Sequence, residues 1–229
     1  MFQTNLKKLL AFSSVAQIGY IALAAGLTSA PGLMAALLHM FNHALAKGTL
    51  FLCVMAFALT SGSATLASLQ GIGRRMPWTM AAFVLAGLSL IGVPGTAGFI
   101  SKWYLIVAVM DWHGSGWGIA LVAAIVISSL LAVIYLWKFV EAAWFSEPPD
   151  GDVSRLEVSL PLRSLIWLAA LSNVYFGLFP RLPLALARSG TDTLLGACTD
   201  VRDHTAVNVA AAPAGRYRYR SYRALAQPP

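Results

Sequence analysis

Three residues in the second long apolar stretch of this chain have the chemistry to carry protons: His39, His43 and Lys47. Their spacing is i, i+4, i+8, so on an α-helix they drift by only about 40° per step and share one face over a rise of about 12 Å. Imidazole titrates near neutral pH, and a lysine withdrawn from water can be brought into the same range. A file of such groups with water between them can relay protons. Ionisable side chains inside a membrane span are costly, which makes each a functional candidate by default. The plainer alternative is a set of core polar residues hydrogen-bonded to neighbouring helices, with Lys47 reaching towards an interface. Lys102 is the fourth candidate. It follows Gly92-Val93-Pro94-Gly95-Thr96-Ala97-Gly98, where Pro94 has no backbone donor and Gly92, Gly95 and Gly98 weaken the helix around it. This pattern predicts a broken helix with freed carbonyls beside the lysine, as in transporters with discontinuous helices. The alternative for Lys102 is an interfacial position on an over-long helix. Ser13, Ser14 and Gln17 form a small polar face on the first apolar run and read as helix-packing contacts, with a water-lined path as the second reading.

The elements that must position these groups are set by composition. The chain is 58% hydrophobic and 11% charged, whereas a soluble domain carries about a quarter charged residues. Its apolar residues fall in runs at 9–27, 33–59, 80–110, 117–140 and 160–178. Runs of about 18 or more are the mark of membrane-spanning helices. The expected fold is an all-α integral membrane protein of about five transmembrane helices, the third one discontinuous. As one helix, 80–110 would measure about 45 Å against a hydrocarbon core of roughly 30 Å, and broken backbone at that depth needs protein or an aqueous cavity around it. Residues 1–180 form the expected transmembrane domain. The polar, arginine-rich segment 181–229 is expected to be poorly ordered, apart from a short amphipathic helix over 182–196. Lys7, Lys8, Arg74, Arg75, Arg155 and Arg163 flank the same ends of successive spans, which places the N-terminus in the cytoplasm.

Other classes are weighed by what is missing. The net charge of +7 draws heavily on Arg216, Arg218, Arg220 and Arg223 in the tail, and the remaining basic residues flank apolar runs, so no nucleic-acid partner is expected. Cys53 and Cys198 fit no metal or redox spacing. There is no HExxH, phosphate-binding glycine loop or nucleotide fingerprint, so no hydrolytic or redox site and no cofactor is expected. The basic start before the first run raises a signal peptide, but four further spans point to its retention. His113 and His204 receive no role.

Three stretches carry a resemblance: Gln3-Thr4-Asn5-Leu6-Lys7-Lys8-Leu9-Leu10-Ala11-Phe12-Ser13-Ser14 continuing to Gln17-Ile18-Gly19-Tyr20, then His39-x-x-x-His43-Ala44-x-x-Lys47-Gly48, then Gly92-Val93-Pro94-x-Thr96-Ala97-Gly98-Phe99-x-Ser101-Lys102. In order and spacing, over about residues 3–180, the chain resembles the antiporter-like membrane subunits shared by respiratory complex I and Mrp-type cation/proton antiporters. Asn42-His43-Ala44-Leu45 and Trp103 look closer to the Mrp-type branch of that family. The resemblance implies two inverted five-helix half-channels in a full subunit, of which this chain corresponds to the second; the first is expected on a separate chain or lost. It implies that His39, His43 and Lys47 belong to a central polar axis, with Lys102 the terminal ionisable residue on the broken helix. It implies protons as the transported species, Na+ or K+ as candidates for the exchanged one, other membrane subunits and the lipid bilayer as partners, and a cell membrane location, in bacteria the inner membrane.

Overall fold

The computed structural model describes residues 3–112, 116–148, 154–156 and 158–210, with 197–210 as backbone alone. His113, Asp150, Asp152, Glu157, the arginine–tyrosine tail, and the side chains of Cys198 and His204 lie outside the described residues. The chain divides into two units, Met1–Thr191 and Asp192–Pro229. Of the second, the described backbone is helical to Ala210.

Local signals in the sequence set the helix starts. Leu6–Gly26 (α1) begins where the Asn5 side chain accepts from the Lys7 and Lys8 amides at 3.0 and 3.3 Å, which satisfies donors that have no partner within a helix. Ala30–Ser61 (α2) is capped by Ser29, whose hydroxyl accepts from the Gly32 amide at 3.2 Å. It stops at Gly62 in the left-handed conformation, φ 74°. The connection that follows contains a single helical turn, Ile72–Arg75 (α3). Next come Pro77–Ile91 (α4), Ala97–Asp111 (α5), Trp117–Phe145 (α6), Leu160–Leu178 (α7) and Arg181–Ala210 (α8).

The five apolar runs all become helices. Helices α1, α2 and α6 are each long and apolar enough to cross a membrane, and α7 with the start of α8, bent by 76°, makes a fourth candidate. The run 80–110 is α4 and α5, 15 residues each. At about 22 Å apiece neither half reaches across the hydrocarbon alone, so the discontinuity expected at Gly92–Thr96 is present. The helix expected over 182–196 continues to Ala210, with Ala187 and Thr191 buried one turn apart.

Packing is arranged for lipid rather than water. Small residues fill the contacts between helices: Ala24, Ala35, Ala46, Ala86, Ala97 and Ala143 are buried, while Phe12, Val15, Ile119, Leu130 and Leu168 point outward. Lipid tails are as apolar as leucine, so close approach and dispersion hold such helices together. One aromatic cluster joins three of them: Phe57 on α2, Phe83 on α4 and Phe139 on α6, with centroids 4.7 to 6.0 Å apart. The polar connections meet at one end. The Leu6 amide donates to the Ala64 carbonyl at 2.8 Å, Gly71 to Ala142 at 3.2 Å and Leu156 to Arg75 at 3.0 Å, so the six flanking basic residues from Lys7 to Arg163 all gather there.

Two glycines let backbone meet backbone around the break. A side-chain carbon on Gly98, in the first turn of α5, would collide with the Ser89 carbonyl of α4; one on Gly177 of α7 would collide with Gly95 and Thr96. Gly98 therefore sits just past the discontinuity and sets how tightly the two half-helices close. Gly98→Ala is expected to cost about 1–3 kcal/mol by overpacking, read as a lower melting temperature in detergent. Gly19→Ala, which meets nothing within 4 Å, should leave the melting temperature unchanged. Equal behaviour of the two variants would refute the close-approach account.

Candidate functional site

The break creates the site. Helix α4 ends at Gly92, φ 93°, and its last carbonyls, Leu90 and Ile91, have no following turn to accept from, as at any helix C-terminus. The Lys102 Nζ donates to Leu90 O at 3.0 Å, Ile91 O at 2.7 Å and Ser129 Oγ of α6 at 2.8 Å. An ammonium has three N–H donors, and all three are placed. The negative end of the α4 dipole adds to the attraction. The lysine stem crosses Gly92 so closely that a side-chain carbon there would lie 2.8 Å from Lys102 Cδ. The Tyr20 ring of α1 completes the surroundings, its centroid 5.4 Å from Nζ, within cation–π range.

Next to this lies His39, 2% exposed and suspended between two helices. Its Nδ1 is 2.9 Å from Ser101 Oγ on α5, and its Nε2 is 3.1 Å from Gln17 Oε1 on α1. Ser101 also reaches the Gly98 carbonyl at 3.1 Å. A doubly protonated ring donates to both partners while Ser101 donates to Gly98. A neutral ring is served when the Ser101 hydroxyl turns to Nδ1, or when the Gln17 amide turns its NH2 to Nε2. The cradle thus holds either protonation state with only a rotation. Tyr20 touches the same ring edge-on at 5.5 Å, so it borders both His39 and Lys102.

The file continues along α2. His43 stacks on His39 at 6.2 Å between centroids, and its Nδ1 is buried without a hydrogen-bond partner. One turn on, Lys47 Nζ donates to the Leu10 carbonyl at 2.6 Å and to the Ser13 hydroxyl. The Tyr135 phenol of α6 interacts with the same serine. His39, His43 and Lys47 therefore do share a face, and the Ser101–Tyr20 pair brings Lys102 up to its His39 end. Of the remaining sequence candidates, Gly92 and Gly95 (φ 90°) both take positive φ in the break, and Pro94 lies between them. Ser13 and Gln17, read from sequence as packing contacts, are the hydrogen-bond partners of Lys47 and His39. A cleft of about 250 Å3 between α1 and α6, lined in part by Gln3, Ser13, Gln17, Ser128 and Tyr135, reaches these partners. Cys53 is a buried free thiol away from the file. Among the described residues no group of His, Cys, Asp and Glu side chains is arranged to hold a metal ion.

Four members received no role from the sequence, although Asn42 and Ser101 stand in the stretches that carry the resemblance. Ser101, Ser129, Asn42 and Asn173 are polar residues within apolar helices, and nothing at their own positions names the helix they face. Asn42 Nδ2 donates to the Ala97 carbonyl at 2.7 Å, holding the start of α5 against α2. Asn173 Nδ2 donates to Thr49 Oγ1 at 3.2 Å, tying α7 to the middle of α2 near Lys47. The one signal available in the sequence was a carboxamide inside an otherwise apolar run, which applies to Asn42 and Asn173 alone. Because the Lys102 stem lies over Gly92, the two positions should be coupled. Gly92→Ala is expected to destabilise the protein more with Lys102 present than in a Lys102→Ala background, with a coupling of about 0.5–3 kcal/mol in a double-mutant cycle. Strict additivity in thermal unfolding would mean the stem does not use the glycine notch.

With this geometry in place, similarity to known proteins is informative. Residues 1–132 match the family described as "NADH:quinone oxidoreductase/Mrp antiporter, TM". NADH-quinone oxidoreductase subunit N of Desulforudis audaxviator is 37% identical over 189 residues, which is 77% of this chain and 37% of that protein. Among solved structures, a chain of the Mrp complex from Dietzia sp. DQ12-45-1b superposes with a TM-score of 0.77 at 23% identity, covering 88% of this chain and 45% of that one. A chain of the membrane-bound sulfane sulfur reductase, an archaeal respiratory membrane complex, superposes with a TM-score of 0.73 at 28% identity, covering 83% and 38%. The chain spans less than half the length of each of these proteins.

Proposed function

This chain belongs to the NADH:quinone oxidoreductase/Mrp antiporter transmembrane family, and on that premise we propose that it is a proton-translocating membrane subunit, or half-subunit, of a multisubunit complex. The observation that carries the reading is the Lys102 ammonium, seated on the freed carbonyls of a broken helix and facing a switchable histidine across the Tyr20 ring that borders both. An ammonium held by backbone carbonyls can give up its proton and become a neutral amine without leaving a buried carboxylate behind, so the release creates no unpaired negative charge in the membrane.

In this mechanism a proton arriving at the Lys47 end, beside the α1–α6 cleft, passes to His43 and then His39, with water bridging the gaps. The ring of His39 hands it on as Ser101 and Gln17 rotate. Lys102 exchanges with one side of the membrane. Tyr20 keeps His39 and Lys102 apart as a neutral spacer, so that their charges are felt but do not collapse into one site. The exchanged ion in an antiporter host is Na+ or K+; in a host related to NADH:quinone oxidoreductase, proton movement would be coupled to electron transfer elsewhere in the complex. The other membrane subunits of that host are the proposed partners. Residues 1–180 are the proposed translocating part and 181–229 an appended segment.

A second reading is a non-conducting scaffold. It is favoured by one observation: every donor of Lys102 is satisfied by protein, as expected of a group that fixes helix register. Lys102→Ala and Lys47→Ala separate the two. If the file conducts, proton-linked transport in membrane vesicles containing the assembled complex should fall by about two orders of magnitude, the scale of losing a proton-transfer group, while subunit content is unchanged. Normal transport in assembled Lys102→Ala complex eliminates the assigned role. Failure of assembly in Lys102→Ala, with Lys102→Arg restoring assembly and transport together, identifies the scaffold.

A further inference from the structure

The end of the molecule that gathers the basic residues also contains a polar cavity of about 80 Å3 that the proton file does not use. Its walls include Arg75 and Trp78 at the α3–α4 junction, Arg155 from the α6–α7 connection and Arg163 in the first turn of α7. Trp78, Arg163 and Trp167 also frame a shallower hollow beside it, and the two indoles meet edge to face at 6.1 Å. The cavity wall is held by backbone. Leu156 donates to the Arg75 carbonyl at 3.0 Å, Arg74 Nε to the Trp144 carbonyl at 3.1 Å, and Pro148 lies so close to Gly71 that no side chain fits between them.

We propose that this cavity is a headgroup site for an anionic phospholipid, with the phosphate held by Arg155 and Arg163 and the glycerol region lying against Trp78 and Trp167. Guanidinium groups present paired N–H donors that match phosphate oxygens. Basic pockets between membrane helices at the basic side suit anionic headgroups. Indoles concentrate at the level where glycerol and water meet. The outward face of α7 decides between a lipid and a soluble anion. Leu165, Leu168 and Leu171 are exposed at 49, 66 and 54%, so an apolar track for an acyl chain runs from Trp167 along the helix. The described residues lining the cavity include no carboxylate.

The test uses the tryptophans as reporters. The full chain is reconstituted in phosphatidylcholine vesicles containing a minor fraction of brominated phosphatidylglycerol, or brominated phosphatidylcholine at the same fraction. The anionic bromolipid is expected to quench indole fluorescence more strongly than the zwitterionic one, and Trp78→Phe/Trp167→Phe should remove that difference. Neutralising each arginine, in Arg155→Gln and Arg163→Gln, should weaken the preference about five-fold, whereas Lys7→Gln/Lys8→Gln at the same end should leave it unchanged. Arg163→Lys, which keeps charge and bulk, guards against misfolding of the glutamine variant and should retain part of the preference. Equal quenching by the two lipids in the native chain overturns the proposal. So does loss of the preference on adding excess inorganic phosphate, which would identify a soluble-anion site, or an unchanged preference in the Arg155→Gln/Arg163→Gln double variant with native melting behaviour.

Discussion

The interaction on which the rest depends is the contact between Lys102 Nζ and the last carbonyls of α4. In hydrocarbon, an unpartnered helix end and an unpartnered ammonium are each expensive. Placed together, each removes the other's cost. This explains why a glycine–proline interruption can persist inside an apolar run, and why the lysine can persist beside it. Ser129 supplies the third acceptor from α6, which ties the broken pair to a long spanning helix. Close packing by Gly98 and Gly177 keeps the arrangement shut. No carboxylate is involved among the described residues, so the cation is stabilised by dipoles, which do not have to be neutralised when it departs.

Much of this was legible in the residues. The five apolar runs foretold the helices because lipid removes the need for periodic alternation, leaving length and hydropathy as direct signals. Gly92, Pro94 and Gly95 located the discontinuity because their effects are intrinsic to the backbone. The i, i+4, i+8 spacing of His39, His43 and Lys47 fixed a common face through helix geometry alone. What was not legible depends on which helix stands opposite. Ser101 and Ser129 are unremarkable hydroxyls in their own segments and acquire meaning only across from His39 and Lys102. Gly98 was grouped with the hinge by proximity in sequence, while its role is to admit the Ser89 carbonyl. The turn α3, four residues between two apolar runs, is too short to leave a periodic signal of its own.

The site also assigns different work to the two sides of α1. Its inward residues, Ser13, Gln17 and Tyr20, touch Lys47, His39 and Lys102 in turn. The outward residues Phe12, Val15 and Ile18 are large, apolar and exposed. A single helix therefore contacts His39 and both lysines of the file along one edge. The sequence stretch 3–20 is thus as much a part of the candidate pathway as the ionisable residues of α2 and α5.

The bare contact of Gly177 with Gly95 and Thr96 has a mechanical consequence. Where side chains separate two helices, a small change in one is absorbed by rotamers. Here backbone lies on backbone, with nothing compressible between them, so opening the angle between α4 and α5 must push α7 aside as a stiff rod. Asn173, one turn away on the same helix, is anchored to Thr49 near Lys47. Displacement at the discontinuity would therefore be delivered, with little loss of stroke, to the far end of the titratable file, making α7 a push-rod between its two lysines.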